Sequence, residues 1–398
     1  MSVKAQPHSR SAHEIISKRV DGLSPSGIRR FFDLVSTTED VISLGVGEPD
    51  FVTPWHISEA AISSIEKGYT MYTSNKGMLQ LRQELSDKLY TRCHIKYDPD
   101  SEILITVGVS EGLDLAMRAM LNPREEVVCP EPAYVAYSAC VTLAGGIFVP
   151  VPTRVEESFK VKAPDIEARV TSRTKAILLG YPHNPTGAVM DKADLDEIAE
   201  LARARDLIVV SDEIYEQLIY GVKHTCFASL PEMKERTVLL GGFSKAYAMT
   251  GWRIGYAAAR PEIIEAMTKI HQYTMMCVPI MAQMAAIEAL KSGDNAVREM
   301  VADYDRRRRV MVKGLNTIGL PCFEPRGAFY AFPCIKATGL SSEEFAEKLL
   351  MEEKIAVVPG SAFGESGEGF VRCCYATALD EIEEALRRMK RFVDRYGR

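Results

Sequence analysis

The sequence predicts an α/β protein whose larger part is a mostly parallel, seven-stranded sheet, joined to a smaller α+β part. Three observations carry that expectation. Between about residues 100 and 260, short β-branched runs alternate with amphipathic stretches of helical period. Those runs are apolar throughout rather than at every second residue, as in strands buried on both faces. After about residue 290 the pattern changes to long, charged helical stretches with short strands between them.

In chain order, strands are expected at 103–107, 126–129, 146–151, 176–179, 207–211, 238–241 and 254–259. Most are rich in Val, Ile and Leu, and all are too short to be a helix. Amphipathic stretches at 113–121, 192–204 and 214–219 lie between them. Crossovers of this kind place ligands at the carboxyl ends of the strands. Further on, helices are expected at 296–315, 342–353 and 380–395, and strands at 328–333, 355–358 and 371–375. The first fifty or so residues are too few for a domain and are expected to pack on the C-terminal part. The expected division is therefore a large domain over 52–290 and a small one from 1–51 plus 291–398.

Composition narrows the function classes. Of 398 residues, 46% are hydrophobic and 26% charged, which excludes disordered, collagen-like and coiled-coil chains. The net charge of −6 argues against a nucleic-acid binder. The one basic run, Arg306 to Arg309, sits in a helical pattern beside Asp303 and Asp305, so it reads as a solvated helix face. No apolar run is long enough to span a membrane, and the N-terminus has no apolar core of the signal-peptide kind, so a cytoplasmic location is expected. The nine scattered cysteines contain no C-x-x-C pair and read as buried thiols, and the histidines show no metal-ligand spacing, so no metal site is expected.

Several strand ends carry chemistry. The strand at 207–211 runs into S-D-E-I-Y, leaving Asp212 at the sheet edge with Tyr215 three residues on. An acid there is costly unless it meets a positive partner, although a helix N-cap would also explain it. The strand at 176–179 runs into Y-P-H-N-P-T-G, where two prolines and a glycine frame Asn184; a plain loop is the alternative to a ligand contact. In G-G-F-S-K-A-Y-A-M-T-G-W-R (241–253), Lys245 lies among apolar and small residues. Burial lowers an amine's pKa and suits it to Schiff-base chemistry, and Ser244 with Arg253 could hold a phosphate. The strand at 103–107 breaks at Gly108 into a helix start, whose amides form a phosphate cradle. The same letters, G-V-S-E-G, also fit the nucleophile elbow of serine hydrolases, with Ser110 as nucleophile and His183, His224 or His271 as candidate bases.

Taken together these segments resemble the class I/II, fold type I aminotransferases that depend on pyridoxal 5′-phosphate (PLP). The likeness runs over nearly the whole chain: S-L-G-V-G-E-P-D-F (43–51), Y-T-S-N-K-G (72–77), N-P-T-G (184–187), S-D-E-I-Y (211–215), S-K-A-Y-A-M-T-G-W-R-I-G-Y (244–256), G-A-F-Y (327–330), V-V-P-G-S-A-F-G (357–364) and V-R-C-C-Y-A-T (371–377). Among subgroups it is most similar to archaeal-type aromatic and broad-range enzymes, then to aspartate aminotransferases of the bacterial thermophile kind.

The resemblance implies roles. Lys245 is expected to join PLP as a Schiff base and to move the substrate's Cα proton. Asp212 would keep the pyridine nitrogen protonated, and Tyr215 and Asn184 would hydrogen-bond the ring's 3′ oxygen. Ser244, Arg253 and the amides of Gly108, Val109 and Ser110 would hold the phosphate, and Tyr134 would stack on the ring. Arg372 would clamp the substrate carboxylate with help from Gly47. Tyr72 would reach the phosphate in a partner subunit, which implies a homodimer. The implied reaction is a ping-pong exchange between an amino acid and a 2-oxo acid such as 2-oxoglutarate.

Two departures bear on the donor. Aspartate-preferring relatives carry either a lysine where this chain has Ser110 or an arginine from the partner subunit, and 269–279 here contains no arginine. The segment 271–278, H-Q-Y-T-M-M-C-V, instead suits a bulky apolar side chain, so aromatic donors are expected first. The alternatives are an aspartate aminotransferase and a carbon–sulfur β-lyase, since the shared residues only generate the carbanion. A PLP-domain transcription regulator would need a DNA-binding domain, for which there is no room before Val41.

Overall fold

The computed structural model describes residues 15–23 and 40–397. Helices of eight or more residues and the strands run as follows. β1 is Ile42–Ser43, α1 Trp55–Glu66, α2 Leu79–Cys93, β2 Ile103–Thr106, α3 Gly108–Met120, β3 Glu126–Glu131, α4 Ala136–Leu143, β4 Ile147–Pro152 and β5 Thr174–Leu179. Then come α5 Lys192–Ala204, β6 Ile208–Asp212, β7 Thr237–Gly242, β8 Gly255–Ala258, α6 Pro261–Thr274, α7 Ile280–Ser292 and α8 Asp294–Thr317. The remainder is β9 Tyr330–Ala331, α9 Ser342–Glu353, β10 Ile355–Ala356, β11 Val358–Pro359, β12 Val371–Cys374 and α10 Leu379–Tyr396.

Seven strands form one sheet in the order β2-β8-β7-β6-β5-β3-β4, and the expected α/β architecture is what the chain adopts. β3, β5, β6 and β7 are buried almost throughout, as their unbroken apolar runs require. β4 is one of the two edge strands and is largely half-buried. It holds Pro150 and Pro152, which lack the N–H a central strand would need.

Only β8 breaks the parallel pattern. It runs antiparallel to both β7 and β2, with Gly242 opposite Gly255 and Thr106 opposite Gly255. The chain therefore leaves β7 and enters β8 at the same edge of the sheet, and residues 243–254 hang over the carboxyl ends of the parallel strands. That segment carries Ser244, Lys245 and Arg253.

The C-terminal part contains a three-stranded antiparallel sheet, β11-β12-β9, and a parallel pair of β1 with β10. The strand expected at 355–358 is thus divided, one half pairing with β1 and the other with β12. One apolar cluster runs from Ile105 and Leu239 in the large sheet to Phe345, Met389 and Phe392 on the C-terminal helices. α9 opens with a capping box, in which Ser341 Oγ accepts from the Glu344 N–H and Glu344 Oε2 accepts from the Ser341 N–H at 2.9 Å.

Three expectations are corrected. Residues 214–219 form a turn rather than a helix, because Leu218 O accepts from the Ala328 N–H and Ile219 bridges to Gly327. The segment's backbone is spent on the C-terminal part. α3 starts at Gly108, five residues before the apolar pattern begins at Leu113. Finally, only Arg306 and Arg309 of the arginine run lie on a solvated face, while Arg307 and Arg308 are buried. Arg307 pairs with Asp50 and Asp303, both at 2.6 Å, and its guanidinium lies 5.2 Å from the Phe51 ring centroid. Arg308 pairs with Asp305 and Glu324. All nine cysteines are free thiols, four of them buried and five half-buried. Among the described residues no helix is long and apolar enough to cross a membrane.

The packing makes a contrast testable. Phe392 is fully buried, edge-on to Phe345 at 5.1 Å, so Phe392→Ala is expected to cost about 3–5 kcal/mol of stability. Arg306→Ala, which removes an exposed pair with Asp303, is expected to cost no more than about 0.5 kcal/mol. Urea unfolding midpoints of the two variants would check both.

Candidate active site

At the carboxyl edge of the sheet, a cavity of about 400 Å³ is lined by the ends of β6 and β7, the start of α3 and residues from the C-terminal part. It is built one turn at a time. Where β2 passes into α3, Gly108 takes a φ of +73°, and a Cβ there would lie 2.6 Å from Arg253 Nη2. Glycine is thus required both by the backbone and by the guanidinium packed on it. Gly255 is required as well, since a Cβ on it would press within 2.8 Å of Val109 N. As the first residues of a helix, Gly108, Val109 and Ser110 present N–H groups that have no intrahelical acceptor.

The 243–254 segment returns two cations to the same place. Lys245 is half-buried, and its Nζ donates to Gly47 O at 2.6 Å. Burial lowers its pKa to about 8. Arg253 donates from Nη1 to Thr250 O at 2.9 Å, and the buried Ser244 lines the cavity beside it.

Asp212, the last residue of β6, is 6% exposed. Its Oδ2 accepts from Tyr137 Oη at 2.9 Å and its Oδ1 from the Ile214 N–H at 3.2 Å. Neither partner is a cation, and burial raises its pKa to about 6. The neighbouring Glu213 is bonded away from the cavity, to Ser211, the Phe227 N–H and His224.

Arg372, on β12, is 3% exposed and has no acidic partner among the described residues. It donates to Asn184 Oδ1 at 2.9 Å and to Gly45 O at 2.7 Å, and its Nε is buried without a partner. Its guanidinium stacks 4.4 Å from the Tyr330 ring centroid and 4.9 Å from that of Phe363. Tyr330 Oη in turn lies 2.7 Å from Tyr215 Oη.

Of the residues singled out in the sequence, Gly47, Val109, Ser110, Tyr134, Asn184, Asp212, Tyr215, Ser244, Lys245, Arg253 and Arg372 all line this one cavity. Gly108 lies directly behind Arg253. Tyr72 does not line it and is 82% exposed. Among the lining residues that sequence reasoning gave no role are two tyrosines. Tyr137 follows Tyr134 by three residues and stands edge-on to it at 5.6 Å, a spacing that could have flagged it. Tyr330 stands in the quoted G-A-F-Y segment and was given no role.

Two further expectations fall. No residue of 271–278 lines the cavity within this chain, so that segment does not wall the site from its own subunit. The serine-hydrolase rival fails on geometry. His183 is bonded to Thr186, His224 to Glu213 and His271 to Glu111, and none lines the cavity with Ser110.

A fold of this kind, with a half-buried amine and a buried acid over the sheet edge, belongs to a known class. The model of the family described as aminotransferase class I and II matches residues 39–389. The chain is 58% identical to a putative aminotransferase, YugH, of Bacillus subtilis, over 95% of this chain and 98% of that one. It is 49% identical to an aspartate aminotransferase of Pyrococcus abyssi, over 94% and 97%. The solved structure of an aromatic aminotransferase from Pyrococcus horikoshii superposes with a TM-score of 0.88 at 47% identity, covering 92% of this chain and 99% of that one. The protein therefore belongs to the class I and II aminotransferases. It is an enzyme of the transaminase class, in a family that depends on PLP.

The residues present fit that cofactor. A phosphate needs free amides and a cation, which the start of α3 and Arg253 offer. A pyridine nitrogen needs a buried acid lacking a cation, which is the state of Asp212. An aldehyde needs a partly desolvated amine, which Lys245 provides.

The pKa of Lys245 gives a sign to test. Because folding lowers it from 10.5 to about 8, the folded state holds fewer protons between those values. Its burial cost is in force below about pH 8 and fades as pH rises toward 10.5. Lys245→Met is therefore expected to raise the melting temperature of the PLP-free protein at about pH 7, with the gain shrinking by about pH 9.5. Calorimetry at the two pH values checks this.

Proposed function

We propose that this aminotransferase takes amino donors with a large uncharged side chain, aromatic ones first, and passes the amino group to a 2-oxo acid such as 2-oxoglutarate in a ping-pong exchange. The observation that carries the reading is a count of charge. Lys245, Arg253 and Arg372 face one cavity, and each is held there by a backbone carbonyl rather than by a carboxylate. In the proposed assignment Arg253, Ser244 and the amides of Gly108, Val109 and Ser110 hold the cofactor's phosphate. Arg372 receives the substrate's α-carboxylate beside Gly47, in a forked pair of hydrogen bonds. No cation is then left for a second carboxylate on the donor. Glu48, which accepts from Thr250 Oγ1 at 3.2 Å, adds a like charge at the cavity wall.

The other roles follow from the same geometry. Asp212 holds a proton on the pyridine nitrogen, and Tyr137 orients that carboxylate. Asn184 has its carbonyl oxygen on Arg372, which leaves its amide N–H groups as donors toward the ring's 3′ oxygen, alongside Tyr215 Oη. Tyr134 packs on the ring face. When bound, PLP supplies an aldehyde that carries the amino group and a ring that takes up electrons as the Cα proton leaves. Lys245 Nζ, with its pKa brought near the working pH, takes that proton and returns it.

A homodimer completes the reading. Tyr72 stands outside the cavity and is exposed, as are Val52, Trp55 and Met71 in the same stretch of sequence, and apolar side chains left exposed in this way suit contact with a second copy of the chain. Tyr72 would then reach the partner's phosphate site. The name of the Pyrococcus abyssi relative favours a second reading, an aspartate donor, which would require a cation brought by the partner subunit.

Two experiments test these assignments. Lys245→Ala is expected to show no turnover and no visible absorption with PLP, and Asp212→Asn to lose roughly a thousandfold in kcat/KM, as for a broken buried ion pair. An active, coloured Lys245→Ala variant would refute the first assignment, and a mild Asp212→Asn effect the second. A panel of amino donors against 2-oxoglutarate is expected to rank phenylalanine or tyrosine above aspartate in kcat/KM by about tenfold or more, the worth of one unpaired buried charge. The reverse ranking would establish the aspartate reading.

A further inference from the structure

Outside the cavity, one buried pair has no part in the chemistry above. Glu111 lies in the first turns of α3, its side chain 10% exposed, and both of its oxygens are engaged. Oε2 accepts from the Val107 N–H at 2.5 Å, and Oε1 accepts from His271 Nδ1 at 2.7 Å. His271 belongs to α6, which packs along α3, and is completely buried. Its Nε2 has no partner. An unpartnered ring nitrogen is less costly as a bare acceptor than as a buried N–H, which places the ring hydrogen on Nδ1, facing Glu111.

The placement poses an electrostatic problem. Val107 immediately precedes Gly108, Val109 and Ser110, whose free amides form the proposed phosphate cradle. A carboxylate at a helix N-terminus is drawn to those same amides. Left free to swing, Glu111 would be an internal anion competing with the phosphate. Its two hydrogen bonds hold it on the amide just before the cradle instead.

We infer that His271 is a positioning residue for the cofactor's phosphate, restraining the Glu111 carboxylate so that it caps Val107 and leaves the cradle amides open. The inference rests on the proposed assignment of that cradle. Losing the histidine's donor, on this account, does harm only while the residue at 111 carries a charge. A merely structural histidine would show no such dependence.

The test uses the full chain freed of PLP. Affinities for PLP and for pyridoxal, which lacks the phosphate, are read from absorbance titrations, and that for inorganic phosphate from calorimetry. H271L is expected to lower the ratio of PLP to pyridoxal affinity by about tenfold, and phosphate affinity similarly, as for a lost charge-assisted hydrogen bond. H271N, which keeps a donor near the position of Nδ1, is expected to stay within about threefold of wild type. The double variant H271L/E111Q is expected to recover most of the loss, because glutamine still accepts from the Val107 N–H but brings no competing charge. Should H271L not fold, H271A carries the same comparison.

An unchanged ratio in the folded single variant overturns the inference, as does a double variant as weak as the single one. Failure of the cradle assignment looks different: the wild-type protein itself would then bind pyridoxal as tightly as PLP.

Discussion

Three cations held in one cavity by backbone carbonyls are the constraint on which the rest of this structure turns. Lys245 is fixed by Gly47 O, Arg372 by Gly45 O and Arg253 by Thr250 O. A carbonyl dipole fixes a cation's direction without neutralising it, whereas a carboxylate would do both. Of the three only Arg372 is fully buried, and burying a charge without a counter-charge is costly. Two acids share the cavity wall, Glu48 and Asp212, and Asp212 is engaged by Tyr137 Oη and the Ile214 N–H, not by a cation. A site left electrically unbalanced in this way is complementary to anions. In the proposed assignment a phosphate and a carboxylate meet the two guanidiniums.

That arrangement depends on topology as much as on residue type. Were β8 parallel like its neighbours, the chain leaving β7 would have to cross the sheet, and Lys245 and Arg253 could not stand at one edge. The reversed β8 sends residues 243–254 out and back over that edge. Gly255 then lets the returning strand lie against the β2–α3 turn, and Gly108 lets Arg253 lie against its backbone. Two positions without a Cβ thus bring a helix start and a guanidinium together as one anion site. The segment from Gly45 to Asp50 closes the other side, anchored through Asp50 to the buried Arg307.

What could be read from the sequence follows the range of the forces involved. The strands around Val128, Ile177 and Val209 were legible because burial on both faces writes a continuous apolar run. Lys245, Asp212 and Asn184 were legible because each is a polar residue at the end of such a run. Tyr137 and Tyr330 were passed over, since their meaning lies in hydroxyl pairings across 75 and 115 residues of chain, and the local spacing from Tyr134 to Tyr137 flags a residue without naming its partner. Arg307 and Arg308 misled for the same reason. A run of arginines looks solvated until Asp50, Phe51 and Glu324 arrive from distant segments to bury it. The turn at 214–219 has a helical pattern, yet Gly327 and Ala328 take its backbone partners.

The division between chemistry and choice of substrate runs along the same line. The groups that would handle the ring nitrogen, the Cα proton and the carboxylate come from the end of β6, the segment after β7 and strand β12, and they serve any amino acid alike. Selection then falls to the rest of the cavity wall, which includes Val46, Glu48 and Tyr330. None of these is a cation. Moving a side-chain carboxylate from water into such surroundings forfeits its hydration with nothing returned, while an aromatic ring loses no hydration it needs. The proposed preference for uncharged donors thus rests on what the cavity omits, and a preference for aspartate would have to be brought to it from outside the chain.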